Sequence, residues 1–438
     1  MDRMEQLIVS RIDRGADEIR AFAEDIYRHA EIGYAEHRTA RKTADAFRRL
    51  GLTPETGIAS TGVRASLGSA RPSLCMIGEL DGIRCPSHPY AVPETGMSHA
   101  CGHHMQLAAM IGAAMALSDP EIAAQLGGRV DFFAVPSEEH VPMERLEQLH
   151  SQDIASLCGG KCELLARGAF NATDAALTTH THMVPCGSDL LLGSNSSSGF
   201  VTKMIHITGK PAHAAIAPHE GINAQDAAAV ARTAVAMQRS TFRESDCVRV
   251  SEIVSLGSSA VNVIPGQATV DIQVRAKNRE AMLEVNRMVT RCYEGAAHAF
   301  GAQAEIRDGL GYLPVIPAAP IPELAHAAQL LTGEVTSEPV NPLVHNAAST
   351  DVGDLSHLMP VINFTFGGFI GTLHGADFCV TDAYKGLIVP AKIAALTIYR
   401  LMKDNAAGLR RVISEYHAPM SHADYLDYVH SFHPDLFA

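Results

Sequence analysis

The sequence predicts an α/β protein in two modules: a sheet flanked by helices, interrupted by a smaller inserted α+β module. Three observations predict it. Helix and strand patterns alternate through residues 1 to about 195, as expected of a sheet with helices packed on it. A second run then reads strand, helix, strand, strand, helix between 200 and 299. A Pro-rich stretch at 314–322 returns the chain to the first module, which closes with a buried strand at 361–366 and a helix from 391. At 438 residues the chain exceeds a single common core, so two domains are the default.

In order, Met4 to Arg28 reads as one amphipathic, charge-laced helix and 37–50 as a second. Strands are expected at 62–67 and 73–80, and the apolar run Leu107 to Leu117 places a helix from 104. Arg129 to Val135 reads as a buried strand that Pro136 ends. Asp174 to His182 alternates as a strand should and would deliver His180 and His182 to the same side. Gly193 to Gly199 is small and polar, which reads as a flexible linker. The inserted module follows with strand 200–208, helix 222–239, strands 248–256 and 268–275, and helix 279–299. Two β-α-β units would make a four-stranded sheet with two helices on one face. The domains are thus expected at 1–195 with 310–438, and at 196–309.

Composition excludes several classes of partner. A net charge of −13 argues against nucleic acid and anionic membrane. No run approaches the roughly 18 apolar residues of a membrane span, and the N-terminus lacks a signal-peptide core. Nine cysteines at scattered spacings suggest no disulfide framework, and their odd number fits a reducing cytoplasm. Cys158-x-x-x-Cys162 is half of a zinc knuckle without a second half.

The most chemically loaded segment is His99-Ala100-Cys101-Gly102-His103-His104. Cys101 and His103 cannot share one helix face, but from a loop both can reach one metal ion. The helix that starts just after them would favour the thiolate. Glu138 and Glu139 end a core strand and point in different directions, so one can bind metal while the other faces a substrate water. His374 sits in a Gly-rich loop after the 361–366 strand, well placed at the carboxyl edge of a sheet. Together these residues make a metal site.

With these motifs the chain resembles the metal-dependent amidohydrolases that include aminoacylases, auxin–amino-acid conjugate hydrolases and p-aminobenzoyl-glutamate hydrolases. The resemblance runs from Arg28-His-Ala-Glu-Ile-Gly33 to the closing helix Lys392 to Met402. His-Ala-Cys101-Gly-His103, the Glu138-Glu139 pair, Gly209-Lys-Pro-Ala-His213 and Asn262-Val-Ile-Pro265 carry it. Ser349-Thr-Asp-Val-Gly-Asp-Leu-Ser356 is similar to the p-aminobenzoyl-glutamate branch. The resemblance implies a zinc-peptidase-like catalytic domain, with helices around a mostly parallel sheet, and an inserted lid that also dimerises. It implies two divalent ions, manganese or zinc, held by Cys101, His103, Glu139, a strand histidine and His374. Spacing from Asp174 points to His180 as that histidine, whereas the neighbouring Met-Val-Pro favours His182. Glu138 matches the family's general base. His213, Asn262 and Arg275 match lid positions that hold the substrate carboxylate and polarise the reacting group. In dimeric relatives the lid histidine reaches the partner's site. Asp81 falls where relatives carry a supporting acidic residue, with a turn aspartate as the alternative.

Two departures bear on the substrate. His104 replaces the Asp or Asn that follows Cys-Gly-His in relatives, and would offer a donor to the substrate. Residues His140 to Leu157 intervene before Gly159-Gly160-Lys161, where relatives pass almost directly, and read as a short amphipathic helix beside the site. The expected reaction is hydrolysis of a C–N bond in a small, carboxylate-bearing, aromatic molecule, an N-acyl or N-aroyl amino acid. One alternative is release of ammonia from an aryl amine, as nitroanthranilate aminohydrolase performs. Another is a binding protein without catalysis, against which the complete ligand set and Glu138 argue.

Overall fold

The computed structural model describes residues 1–182, 187–257, 260–433 and 436. Its larger sheet has eight strands in the order Glu55–Ile58, Gly62–Leu67, Arg129–Val135, Ser73–Glu79, Ala175–Thr181, Val361–Phe366, Leu190–Leu192, Ser337–Pro339. The four central strands, Arg129–Val135 to Val361–Phe366, run parallel. Their side chains alternate between two cores. Leu74, Met76, Phe132 and Ala134 face one, while Cys75, Ile77, Phe133 and Val135 face the other. Both faces are therefore apolar and both are covered, as a parallel sheet requires.

Helix His103–Leu117 is apolar all round, and that is why it lies in the centre of the first core. It packs against Ala16–Tyr27, Arg3–Arg14 and the long C-terminal helix that starts at Val389. Gly112 lets it approach that helix, since a Cβ there would come within 2.6 Å of Ala391. The single helix expected over 4–28 is two helices, broken at Gly15. A Cβ at Gly15 would lie 2.1 Å from Met115 Sδ, so the chain turns where the central helix presses on it. The closing helix starts earlier than Lys392, after one π turn at Tyr384–Ile388, and is interrupted by left-handed backbone at Asp404–Ala406.

The four-stranded sheet is antiparallel, in the order Arg249–Leu256, Gln267–Ala276, Gly199–Thr208, Gln303–Leu310. Helices Ala224–Gln238 and Arg279–Phe300 bury Val201, Ile205, Val270, Ile272 and Val274 beneath them. The strand over 303–310 has no place among the sequence-based elements, because its alternation is broken by Arg307, Asp308 and Gly309.

Gly193–Gly199 is no free linker. Ser196–Ser197 pairs with His345–Asn346, and the ring nitrogens of His345 meet Ser196 Oγ at 3.0 Å and Ser198 Oγ at 3.1 Å. Ser196, Ser197 and Ser198 are buried. Small polar side chains here serve close packing and hydrogen bonding, not slack.

The 140–157 segment does form a helix, Met143–Ser151. It lies against the outer strand of the smaller sheet: Glu147 pairs with Arg307, and Met143 sits over Gly309. Its other side buries Leu149 with Tyr34, Val141 and Ala155. The segment thus braces the two sheets, with a cavity of about 500 Å³ bordered by His140, Met143, Arg307 and Phe432.

Candidate metal centre

All four central strands end at one edge, and each end carries part of the site. Val135 leads into Glu138 and Glu139, Glu79 ends its own strand, His180 lies at the end of another, and Phe366 leads to His374. Cys101 enters from the loop before the central helix. Gly102 adopts φ +87° there, and a Cβ at that position would come within 2.5 Å of Thr181 Cγ2. Gln106, one turn into the helix, takes the Glu79 amide at 2.7 Å and donates to Thr179 O at 2.6 Å. The helix start and two strand ends are thereby fixed to each other.

The donor atoms converge. Cys101 Sγ lies 3.5 Å from His180 Nε2 and 3.3 Å from His374 Nε2, which is 3.3 Å from Glu139 Oε1. They form two groups that share the thiol: Cys101, His103, His180 and Cys101, Glu139, His374. A third group joins Glu79, His103 and Glu138. Two imidazoles have their tautomers set by carbonyls, which only accept. His103 Nδ1 donates to Asp81 O at 2.8 Å and His180 Nδ1 to Thr181 O at 2.9 Å, so each turns an Nε2 lone pair into the site. Oε2 of Glu79, Nε2 of His103 and Oε1 of Glu139 are buried without a hydrogen-bond partner. Buried, aimed and unsatisfied donors of N, O and S type fit a divalent metal pair.

His182 turns away. Its ring meets Thr365 Oγ1 at 2.8 Å and Ser188 O at 3.1 Å, so the two histidines do not present to the same site. Met183–Pro185, which favour His182 in sequence, lie outside the described residues.

The glutamate pair is held by its surroundings. Asp81 Oδ2 accepts the Glu139 amide at 2.8 Å, while its carbonyl orients His103. Asp81 therefore supports two site residues, beyond what a turn aspartate does. The preceding Ser137 has φ +46°, and its amide donates to buried Glu36 at 2.8 Å. Gly160 closes on the same turn from the other side, where a Cβ would fall 1.7 Å from Pro136 O. Burial, with the carboxylates of Glu79 and Asp351, holds the Glu138 carboxyl well above its usual range. Burial acts on Glu139 too, but the neighbouring imidazoles of His374 and His103 bring it lower. Adjacent carboxyls pushed in opposite directions suit a proton carrier beside a ligand. Burial and Glu139 also push the Cys101 thiol up, outweighing the helix end expected to favour its thiolate. A cation at the cluster is what would stabilise the thiolate.

Sequence reasoning missed Glu79, Lys161 and Asp351. Lys161 is completely buried, with Nζ 2.6 Å from both Glu79 Oε1 and Asp351 Oδ1. The signal was available for Glu79, because it ends a core strand as the Glu138 pair does.

The remaining residues lie apart from the cluster. His104 belongs to none of the converging groups; it is buried, stacked on Tyr27 at 4.4 Å, and its ring nitrogens have no partner among the described residues. His213 and Asn262 sit together at the tip of the smaller module, where Ala212–His213 pairs with Val263–Ile264, and both are exposed. Arg275 is at the junction of the two sheets, donating to Ser349 Oγ at 2.8 Å and lying over the Phe200 ring.

Known proteins resemble this chain over most of its length. A family model, the peptidase dimerisation domain, matches residues 195–298. The chain is 25% identical to a p-aminobenzoyl-glutamate hydrolase subunit of Escherichia coli (strain K12), over 92% of this chain and 93% of that one. It is 26% identical to the Xaa-Arg dipeptidase of Mus musculus, over 85% and 81%. Among solved structures it is similar to the YXEP protein of Bacillus subtilis, described as a dinuclear metal binding peptidase from the M20 family, with a TM-score of 0.65 at 22% identity over 89% of this chain and 99% of that one. An aminobenzoyl-glutamate utilization protein from Klebsiella pneumoniae superposes with the same score at 18% identity, over 90% and 98%. The chain is a metal-dependent hydrolase with an inserted dimerisation domain. Over most of its length it is similar to the amidohydrolases that include the aminoacylases, auxin-conjugate hydrolases and p-aminobenzoyl-glutamate hydrolases. Among the described residues no helix is long and apolar enough to cross a membrane.

Proposed function

We propose that this enzyme hydrolyses the C–N bond of a small, carboxylate-bearing N-acyl or N-aroyl amino acid. The observation that carries the reading is the pair of converging donor groups that share Cys101, next to Glu138. Cys101, His103 and His180 would hold one ion, and Cys101, Glu139 and His374 the other, zinc or manganese. Such ions, when bound, polarise the scissile group and lower the pKa of water. Glu138 takes the proton of the attacking water and delivers it to the leaving nitrogen, a role worth roughly a hundred- to ten-thousand-fold. Its raised proton affinity suits a group that must hold that proton between the two events.

The relatives support the substrate class. They include the N-acyl-L-amino acid amidohydrolase of Geobacillus stearothermophilus, the indole-3-acetyl-aspartic acid hydrolase of Enterobacter agglomerans and the hippurate hydrolase of Campylobacter jejuni. The substrates named there are amides that carry a carboxylate. In this chain Arg275, Asn262 and His213 would receive the carboxylate and polarise the reacting carbonyl. Residues 1–195 with 310–438 form the catalytic domain in this reading, and 196–309 the lid.

His213 is exposed and outside the converging groups of its own chain, which supports its service to a partner's site in a homodimer. The lid sheet offers the surface for one. Its Gln303–Leu310 edge is braced by the 143–151 helix, whereas the Arg249–Leu256 edge has no further strand beside it among the described residues and exposes Ile253 and Leu256. The described cysteines are free thiols, in keeping with a cytoplasmic enzyme.

A panel of N-benzoyl and N-acetyl amino acids, scored separately for amino acid and for ammonia, tests the reading. Release of the amino acid is expected. Ammonia from a nitroanthranilate-like compound, with no amino acid formed from any amide, would replace it with the aryl-amine reaction.

A further inference from the structure

We infer that Glu79 is an additional ligand of the ion that Cys101, His103 and His180 would hold, and that Lys161 and Asp351 fix its carboxylate for that purpose. This role rests on the metal-centre reading above and adds a residue to it.

Two lone pairs face each other at this point of the cluster. His103 donates through Nδ1 to the Asp81 carbonyl, so Nε2 is an acceptor. Glu79 Oε2 lies 3.3 Å from that nitrogen, buried and without a hydrogen-bond partner. With the ring neutral, two acceptors facing each other in a dry site repel unless a proton or a metal cation lies between them, so this is a place built for positive charge. The other oxygen of Glu79 is committed to Lys161 at 2.6 Å, which leaves Oε2 held toward the cleft. Lys161 cannot move to cover it. Its Nζ is also bound to Asp351 Oδ1 at 2.6 Å, and its amide donates to Asp351 Oδ2 at 2.8 Å.

Charge points the same way. Glu79, Asp351 and Lys161 are all buried and together carry one excess negative charge. A self-sufficient structural ion pair needs no second carboxylate, and a buried uncompensated charge is unfavourable. A divalent ion beside Glu79, taking the place of a proton on His103, supplies the balance. Glu79, His103 and Glu138 form one of the three groups whose donor atoms converge, and it meets the Cys101 group at His103, so the ion at His103 is the one Glu79 can reach. That ion would then have four protein donors, and the ion at Glu139 and His374 only three. Four donors close a site, while three leave a position open. The half-exposed His374 lies on the open side.

The test uses the native holoprotein crystallised with manganese, its ions located by anomalous scattering. Glu79 Oε2 within about 2.5 Å of the ion at His103 is expected, as for carboxylate ligands generally. Two ions bound with that oxygen beyond about 3.5 Å, a water between them, would overturn the inference and leave the metal-centre reading intact. A protein that binds no metal would overturn both. In solution, Glu79→Gln should weaken manganese at the tighter of two sites by more than about a hundredfold, beyond the roughly ten- to hundredfold that a partner not touching the metal costs. A loss of about a hundredfold or less would count against it. Should Glu79→Gln fail to fold, the native crystal decides.

Discussion

His374 Nε2 lies 3.3 Å from Cys101 Sγ, across 273 residues of chain. His374 reaches this position through a left-handed backbone, φ +65°, secured by its amide to Ala100 O at 2.8 Å. A non-glycine residue in that region is strained, and the strain here aims a donor at the thiol. Because Cys101 belongs to both donor groups and His180 and His374 to one each, the three substitutions should differ. Cys101→Ser should weaken retention of both ions, since a hard hydroxyl replaces a soft thiolate. His180→Ala and His374→Ala should each release one. Elemental analysis after dialysis checks this, and equal losses in all three variants would refute the shared thiol.

The adjacent glutamates should separate cleanly. Glu138→Gln is expected to keep its metal and bind substrate while turnover falls at least about a hundredfold. Glu139→Gln should lose metal from the His374 side. Metal content and kcat measured on both variants decide, and reversed phenotypes would reassign the pair.

Site residues from the lid should act across the dimer. Mixing inactive Glu138→Gln with inactive His213→Ala subunits is expected to restore part of the activity, because one site of each hybrid would contain an intact Glu138 and an intact His213. No recovery despite demonstrated subunit exchange would place His213 in its own chain's site or outside catalysis.

Arg275 is tied to Ser349 at the sheet junction, within reach of both modules. Arg275→Ala should raise KM strongly for a carboxylate substrate and far less for its methyl ester, because the lost contact is to the carboxylate. Steady-state kinetics on the acid and ester pair test it, and an equal rise for both would mean that Arg275 serves the junction alone.

Much of this architecture was legible because it rests on periodicity. The strands at 62–67, 129–135 and 361–366 are found as expected, since apolar runs between turn residues leave little choice. Cys101, His103, Glu139, His180 and His374 were legible as residue types at strand and helix ends, and they meet in the converging groups. What escaped depends on distant contacts. Gly15 breaks a helix because Met115 presses on it, and the buried Ser196 and Ser198 are held by His345, which bonds both hydroxyls. Short edge strands such as Leu190–Leu192 have too few residues for a period to appear. The Lys161–Asp351 contact joins residues 190 apart, and no local pattern announces a buried lysine. His104 looked like a substrate contact by its place in the motif, but its side of the helix faces Tyr27.

Catalysis, on this reading, belongs to a metal pair held by the Cys101 groups. The most direct measurement is hydrolysis of an N-acyl amino acid by protein verified as metal-free, then titrated with manganese or zinc. No turnover without metal is expected, with activity returning as the second equivalent binds. Full activity in the metal-free protein would contradict the account.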